Sequence, residues 1–173
     1  MTAPVFVDTN VFVYARQANE RSRQPIAAEW VERLWRDETG RTSMQVVSEC
    51  YVTLTRKIKP ALAHEQAWEH LRGLLTWNPQ PTDAELLMRA REIEDRYGLS
   101  WWDSLIVGAA ELQDCALLLT EDLQDRAVYG GVTVRNPFSL RVAEGIATYG
   151  NAPRTVSRHP LRGRPRRAAA LPA

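Results

Sequence analysis

Four acidic side chains, far apart along the chain, are spaced so that they could do chemistry together: Asp8, Glu49, Asp103 and Asp122. Asp8 ends the β-favouring apolar run Val5-Phe6-Val7, and Asp122 comes just after a second apolar run, Ala116 to Thr120. Glu49 lies near the start of a helical segment that follows a short strand, and Asp103 in the first turn of another. In a parallel α/β sheet, the carboxyl ends of the strands and the starts of the following helices share one edge, and ligands bind in the crevice beyond it. All four acids can therefore meet there. Each also has a local reading. Asp8 suits a turn before a helix capped by Thr9. Asp103 completes a capping box with Ser100, and Asp122 caps the turn from Glu121 to Gln124. Glu49 falls about 60° outside the apolar face of its helix, a position suited to water or to a cleft.

Carboxylates a few Å apart repel by about 4 kcal/mol at an intermediate dielectric. Protons or a cation must offset that repulsion. A hard divalent ion with oxygen ligands, Mg²⁺ or Mn²⁺, suits the donor set. An ion of this kind activates water and steadies charge on a phosphodiester. Zinc fits poorly, because His64, His70 and His159 lack ligand spacing and neither Cys50 nor Cys115 accompanies them. No Gly-rich phosphate loop and no GxSxG elbow occurs. A phosphatase nucleophile at Asp8 would usually have a second Asp two residues on, where this chain has Asn10.

The elements that must position these acids read as alternating strands and helices. Val5 to Val7 is a strand buried on both faces. A short helix or turn, Val11 to Ala18, follows it. Gln24 to Glu38 is helical, with Ile26, Trp30, Val31, Leu34 and Trp35 at helical spacing. Arg41 to Ser43 forms a very short second strand. Gln45 to Lys57 is a helix whose apolar face runs through Val46, Val47, Cys50, Tyr51, Leu54 and Ile58. Ala61 to Leu75 is helical, and Thr76 and Trp77 read as a third strand. Thr82 with Glu85 opens a helix that runs through Tyr97 to Gly98, and Ser100 opens another through Gln113. Ala116 to Thr120 and Val132 to Val134 are the last strands, with a turn at Gly130 and Gly131 between them. The alternation predicts an α/β fold, a parallel sheet with helices on both sides.

A chain of 173 residues, 45% apolar and 25% charged, suits one domain with a full core. Its net charge of +1 hides an asymmetry. Six of the 22 basic residues, all arginines from Arg154 to Arg167, lie after Asn151, leaving 16 against 21 acids in residues 1–150, a balance of −5. Residues 151–173 are rich in Pro, Arg and Ala and cannot bury a core, so they are expected to form a basic, disordered tail. An acidic body with such a tail suits a metal-requiring or basic-ligand site in the body and a polyanion or acidic partner for the tail. The two cysteines lie in apolar segments without CxxC spacing, as expected of buried free thiols in a reducing cytosol. No signal-peptide pattern and no membrane-spanning run is present, which makes the expected location cytoplasmic.

The order VFVDTN, SEC around Glu49, SWWDSLIVGAA around Asp103 and LLLTEDLQD around Asp122 resembles PIN-domain ribonucleases. The group it resembles most is the VapC-like toxins of bacterial type II toxin–antitoxin systems. The resemblance covers roughly residues 4–138. It implies a PIN-like three-layer fold with a parallel sheet of about five strands. It also implies Mg²⁺- or Mn²⁺-dependent cleavage of RNA, with Asp8, Glu49, Asp103 and Asp122 as catalytic, metal-binding acids. Asp125 is a possible fifth acid, and Asn10 and Thr120 would orient the ligands. A small cognate antitoxin and a homodimer are the expected protein partners. Two other readings stay open: a PIN-like module that binds RNA or protein without cutting, and a structure-specific DNA nuclease.

Trp101 and Trp102 border Asp103, which leaves one free to pack inward and the other to line the cleft. Aromatic rings stack on unpaired bases, and they also serve as core. The run Arg56, Lys57, Lys59 suits a solvated helix end or a contact to phosphates.

Overall fold

Val5, Phe6 and Val7 are buried and form the inner strand β1 (Val5–Val7). The structure is a computed structural model that describes residues 3–150; the basic tail expected over residues 151–173 lies outside the described residues. Strand β1 pairs in parallel with β2 (Gly40–Arg41) on one side, and with β3 (Leu117–Leu119) on the other through Val5↔Leu117, Phe6↔Leu118 and Val7↔Leu119. Strand β3 pairs in parallel with a strand over Val132–Arg135, which carries a short antiparallel neighbour over Val128–Tyr129. In chain order these two are β4 (Val128–Tyr129) and β5 (Val132–Arg135), and the sheet runs β2-β1-β3-β5-β4.

The chain leaves β1 toward one edge for β2 and then crosses to the other side of β1 for β3. That reversal makes the carboxyl end of β1 a topological switch point, where a crevice opens. Right-handed crossovers that run in opposite directions lie on opposite faces of a sheet. Helices α1 (Thr9–Arg16) and α2 (Gln24–Arg36) form the first crossover. Helices α3 (Met44–Val52), α4 (His64–Leu74), α5 (Ala84–Tyr97) and α6 (Trp101–Leu112) lie in the second. The result is the expected three-layer α/β arrangement. Helix α7 (Val142–Tyr149) follows β5 and packs on α2. Phe6, Phe12, Trp30, Leu34, Leu54 and Leu118 are among the fully buried side chains, each stabilising the fold by about 1.5–3 kcal/mol relative to exposure.

Three local expectations are corrected. The sheet is parallel over four strands only, since β4 runs antiparallel to β5. Gly130, at φ 61°, and Gly131 join the two strands in a tight turn, and a turn that short can link only antiparallel neighbours. Thr76 and Trp77 are not a strand. The end of α4 tightens into a 3₁₀ turn over Leu75–Trp77, the Thr76 hydroxyl donates to the Gly73 carbonyl at 2.8 Å, and Asn78 turns left-handed at φ 52°. The segment that meets the sheet edge is instead Gln80, which donates to the Thr42 carbonyl and accepts from the Met44 N–H, both at 2.9 Å. Trp77 serves the core: its ring meets Phe12 edge-on at 5.5 Å, and any Cβ at position 40 would run into it. Helix α5 is capped by Asp83, one residue beyond Thr82, with Oδ1 accepting from the Leu86 N–H at 3.0 Å.

Helix α3 does not stop at Val52 but widens into a π-helical turn over Thr53–Lys57, closed by the Ile58 N–H donating to the Thr53 carbonyl at 3.1 Å. Cys50 and Cys115 are buried, unpaired thiols, as expected. Among the described residues no helix is long and apolar enough to cross a membrane.

Candidate active site

Asp8 is the residue on which β1 ends and α1 begins. Its N–H still donates to the Leu119 carbonyl of β3 at 3.1 Å, extending the ladder by one residue. Its own extended backbone makes it the N-cap of α1, with Oδ1 accepting from the Thr9 N–H at 2.6 Å. The other oxygen, Oδ2, accepts from the Thr120 hydroxyl at 2.7 Å. A strand end, a helix start and the neighbouring strand thus hold one carboxylate, which is 7% exposed. Burial pushes its pKa up to about 6 against the pull of the Thr120 and Thr9 hydrogen bonds, and the Asp122 and Glu49 charges add to the rise.

Asp122 is tied to Asp8 through two side chains. The Asn10 amide donates to Asp122 Oδ2 at 3.0 Å, to Thr120 Oγ1 at 3.0 Å and to Asp8 Oδ2 at 3.5 Å. The Asp122 N–H donates to Thr120 Oγ1 at 3.1 Å. The buried Thr120 hydroxyl therefore donates once and accepts twice, which is its full capacity. Asn10 and Thr120 thus each bond to both Asp8 and Asp122.

Glu49 projects from α3. Its two oxygens accept from the Thr9 hydroxyl and the Gln45 amide, both at 2.9 Å. Asp103 is held by the cap of α6: the Ser100 hydroxyl donates to its Oδ2 at 2.6 Å while accepting its backbone N–H at 3.1 Å. The local capping role and the cleft position coincide, so the two readings of Asp103 are not exclusive. Asp8, Glu49, Asp103 and Asp122 all line one cleft of about 1050 Å³. Glu121 also faces it and accepts from the Tyr14 hydroxyl at 2.7 Å, and the Arg23 guanidinium donates to that hydroxyl at 2.8 Å. Tyr14, Glu121 and Arg23 bear no spacing signal of their own, and sequence reasoning missed all three.

Asp125 does not line the cleft. Its Oδ1 accepts from the Asn136 N–H at 2.7 Å and from Arg135 Nε at 3.1 Å. Partial burial raises its pKa, but these bonds and the charges of Arg135 and Arg126 outweigh it and leave the carboxyl below the ordinary range. Asp125 is a clamp for the segment after β3, not a fifth acid of the cleft.

The donors facing the cleft are oxygens, the kind a hard divalent ion takes while keeping several waters. A carboxylate buried against two like charges is also what a cation would relieve. Asp8 and Asp122 are linked by shared partners, whereas Glu49 and Asp103 are held separately. Among the described residues no three His, Cys, Asp or Glu side chains are drawn together closely enough to hold an ion as they stand. The set fits Mg²⁺ or Mn²⁺ in kind.

Comparison with known proteins adds three findings. Residues 5–130 match the family described as the PIN domain. Several solved structures share the fold. A toxin–antitoxin complex from Klebsiella pneumoniae aligns at a TM-score of 0.57 and 20% identity, over 77% of this chain and 97% of that one. VapC20 of Mycobacterium tuberculosis, a sarcin–ricin loop cleaving toxin, aligns at 0.53 and 21%, over 68% of this chain and 91% of its own. No curated protein matches the sequence.

Proposed function

The chain belongs to the PIN domain family, and on that premise we propose that it is a Mg²⁺- or Mn²⁺-dependent endoribonuclease, the toxin of a type II toxin–antitoxin pair. The observation that carries this reading is the shared cleft of Asp8, Glu49, Asp103 and Asp122 at the carboxyl edge of a parallel sheet. A fold neighbour that is a sarcin–ricin loop cleaving toxin supports a cutting enzyme over a silent binding module.

In this reading the four carboxylates are the catalytic, metal-holding groups. Bound among them, Mg²⁺ or Mn²⁺ would lower the pKa of a water nucleophile and offset charge on the phosphodiester. The chain's own residues prepare the site. Thr120 and the Thr9 N–H fix both oxygens of Asp8, so the buried carboxylate does not reorganise when substrate arrives. Asn10 keeps Asp122 beside it. Thr9 and Gln45 hold Glu49, and Ser100 holds Asp103, each in one orientation. Without a cation this concentration of negative charge repels a phosphodiester, so the cleft is silent until loaded.

A small antitoxin would silence such a cleft most directly with a basic side chain, which the carboxylates attract. The balance of −5 over residues 1–150 favours a basic partner segment in the same way. A homodimer in the cytoplasm completes the proposal.

The test is cleavage of single-stranded RNA by purified protein. Cutting is expected with Mg²⁺ or Mn²⁺ and is expected to stop in EDTA. Asp8→Asn keeps shape and removes charge, so it should abolish cutting while circular dichroism stays unchanged. Undiminished cutting by Asp8→Asn, or in EDTA, rules the mechanism out.

A further inference from the structure

Resting on the ribonuclease reading, we infer that Trp102 is the base-stacking platform for the substrate strand and that Lys57 and Lys59 are its phosphate contacts across the same cleft.

Trp102 stands apart from the other tryptophans. Trp30 and Trp77 are buried, and Trp101 packs against the core. Trp35 is exposed but leans on Trp77 at 5.7 Å between ring centroids, and Trp68 is exposed on α4 but does not line the cleft. Trp102 is 64% exposed, lines the cleft, and precedes Asp103 directly. Trp101 is the neighbour that turns inward, so the helix cap that anchors Asp103 also fixes the outward direction of Trp102. A large ring held in water beside a reactive carboxylate is costly to leave uncovered.

The charge of the cleft decides what covers it. Five acids line it, Asp8, Glu49, Asp103, Glu121 and Asp122, against two bases, Lys57 and Lys59. Both lysines are exposed, and among the described residues neither makes an ion pair. Lys57 ends the π-helical turn at the end of α3, a distortion often found where a helix serves a site, and Lys59 follows just past its cap at Ile58. A polyanion approaching this floor is repelled except beside these two lysines. Stacking carries no charge, so an aromatic face adds affinity that the acidic floor does not diminish. A strand with its phosphates on Lys57 and Lys59 and a base on Trp102 satisfies both features. A duplex cannot, because its bases are paired and their faces are covered.

The experiment is fluorescence anisotropy of the full chain, in Mg²⁺ and in an Asp103→Asn background that prevents cutting, with a labelled short oligoadenylate and a duplex RNA of the same length. Trp102→Ala is expected to raise the Kd for the oligoadenylate about ten-fold and leave the duplex unchanged. Trp102→Phe should restore most of the loss. Trp68→Ala, an exposed tryptophan on α4, should change nothing. Lys57→Gln with Lys59→Gln should flatten the slope of log Kd against log salt by about 1.4. In the active background, Trp102→Ala should raise KM and spare kcat. An oligoadenylate Kd unaffected by Trp102→Ala overturns the inference, as does an equal loss for duplex. If Trp102→Ala binds RNA normally but loses a protein antitoxin, the ring is a partner contact and the inference fails. If even the parent protein binds neither RNA, the ribonuclease reading fails first.

Discussion

The Thr120 hydroxyl lies 2.7 Å from Asp8 Oδ2 and gives its only proton to that carboxylate. It belongs to the segment after β3, while Asp8 ends β1, so this bond joins two parallel strands at the point where they stop being a sheet and become a site. Its two lone pairs are taken by Asn10 and by the Asp122 N–H. One hydroxyl thereby sets the spacing of two acids.

Thr120→Val keeps the shape and removes this hub. The Asp122 N–H and the Asn10 amide each lose an acceptor, and a loss of stability of about 1–3 kcal/mol is expected. Because the Thr120 bond pulls the Asp8 pKa down, its loss should move Asp8 above about 6. An NMR titration of the Asp8 carboxyl in the metal-free protein reads the shift directly. A carboxyl that titrates unchanged shows that the bond does not govern it.

Asp8 also makes stability depend on pH. Its folded pKa, about 6, lies above the ordinary 3.8, so the folded state holds the proton more tightly than the unfolded chain. The contribution is fully present below pH 4 and is lost as pH rises through 6, by about 3 kcal/mol in all. Metal-free protein should therefore weaken over that window, and Asp8→Asn should not. At pH 7.5 the variant should be the more stable by about 1–2 kcal/mol, less than the full amount because the Thr120 lone pairs have no room for a new donor. Urea melts in EDTA across pH are the measurement; parallel curves for the two proteins contradict the expectation.

Asp125→Ala separates fold from chemistry. It strips a partner from the Asn136 N–H and from Arg135, whose side chain is otherwise held by the Tyr149 hydroxyl at 3.3 Å. Thermal stability should fall by about 1–2 kcal/mol. The kcat of the folded fraction should stay at the parent value. A collapse of kcat with stability intact would put Asp125 back among the catalytic acids.

Truncation after Gly150 tests the six tail arginines. RNA affinity should weaken and its salt dependence should flatten, by about 0.7 for each phosphate that an arginine no longer neutralises. Metal affinity and melting temperature should not move. Identical affinities and slopes for both lengths remove the tail from RNA binding.

Much of the site is legible in the sequence because strand ends and helix starts announce themselves. Val5 to Val7 before Asp8, Leu117 to Leu119 before Thr120 and Asp122, and Ser100 before Asp103 are short-range patterns with short-range causes. Glu49 is legible for a subtler reason, since a helix residue off the apolar face must meet either water or a cleft. What the pattern does not carry is mutual arrangement. Trp77 reads as strand by propensity, yet the space opened by Gly40 draws its ring into the core and the backbone follows a 3₁₀ turn. Strand β4 has two residues, too few for alternation to register. Asp125 resembles a site acid until Arg135 and Asn136, ten and eleven residues on, take it up.

The cleft joins residues 8 and 122 through Asn10 and Thr120, a closure spanning most of the folded chain. Closing so long a loop is slow compared with forming local helices. The amino terminus leaves the ribosome first, yet the acidic constellation cannot exist until the third strand and its trailing acid have also emerged and docked. A nascent chain therefore lacks the shared acidic cleft through most of its synthesis. On the proposed ribonuclease reading, the capacity to cut would arise late and all at once, when β3 and Asp122 dock beside Asp8.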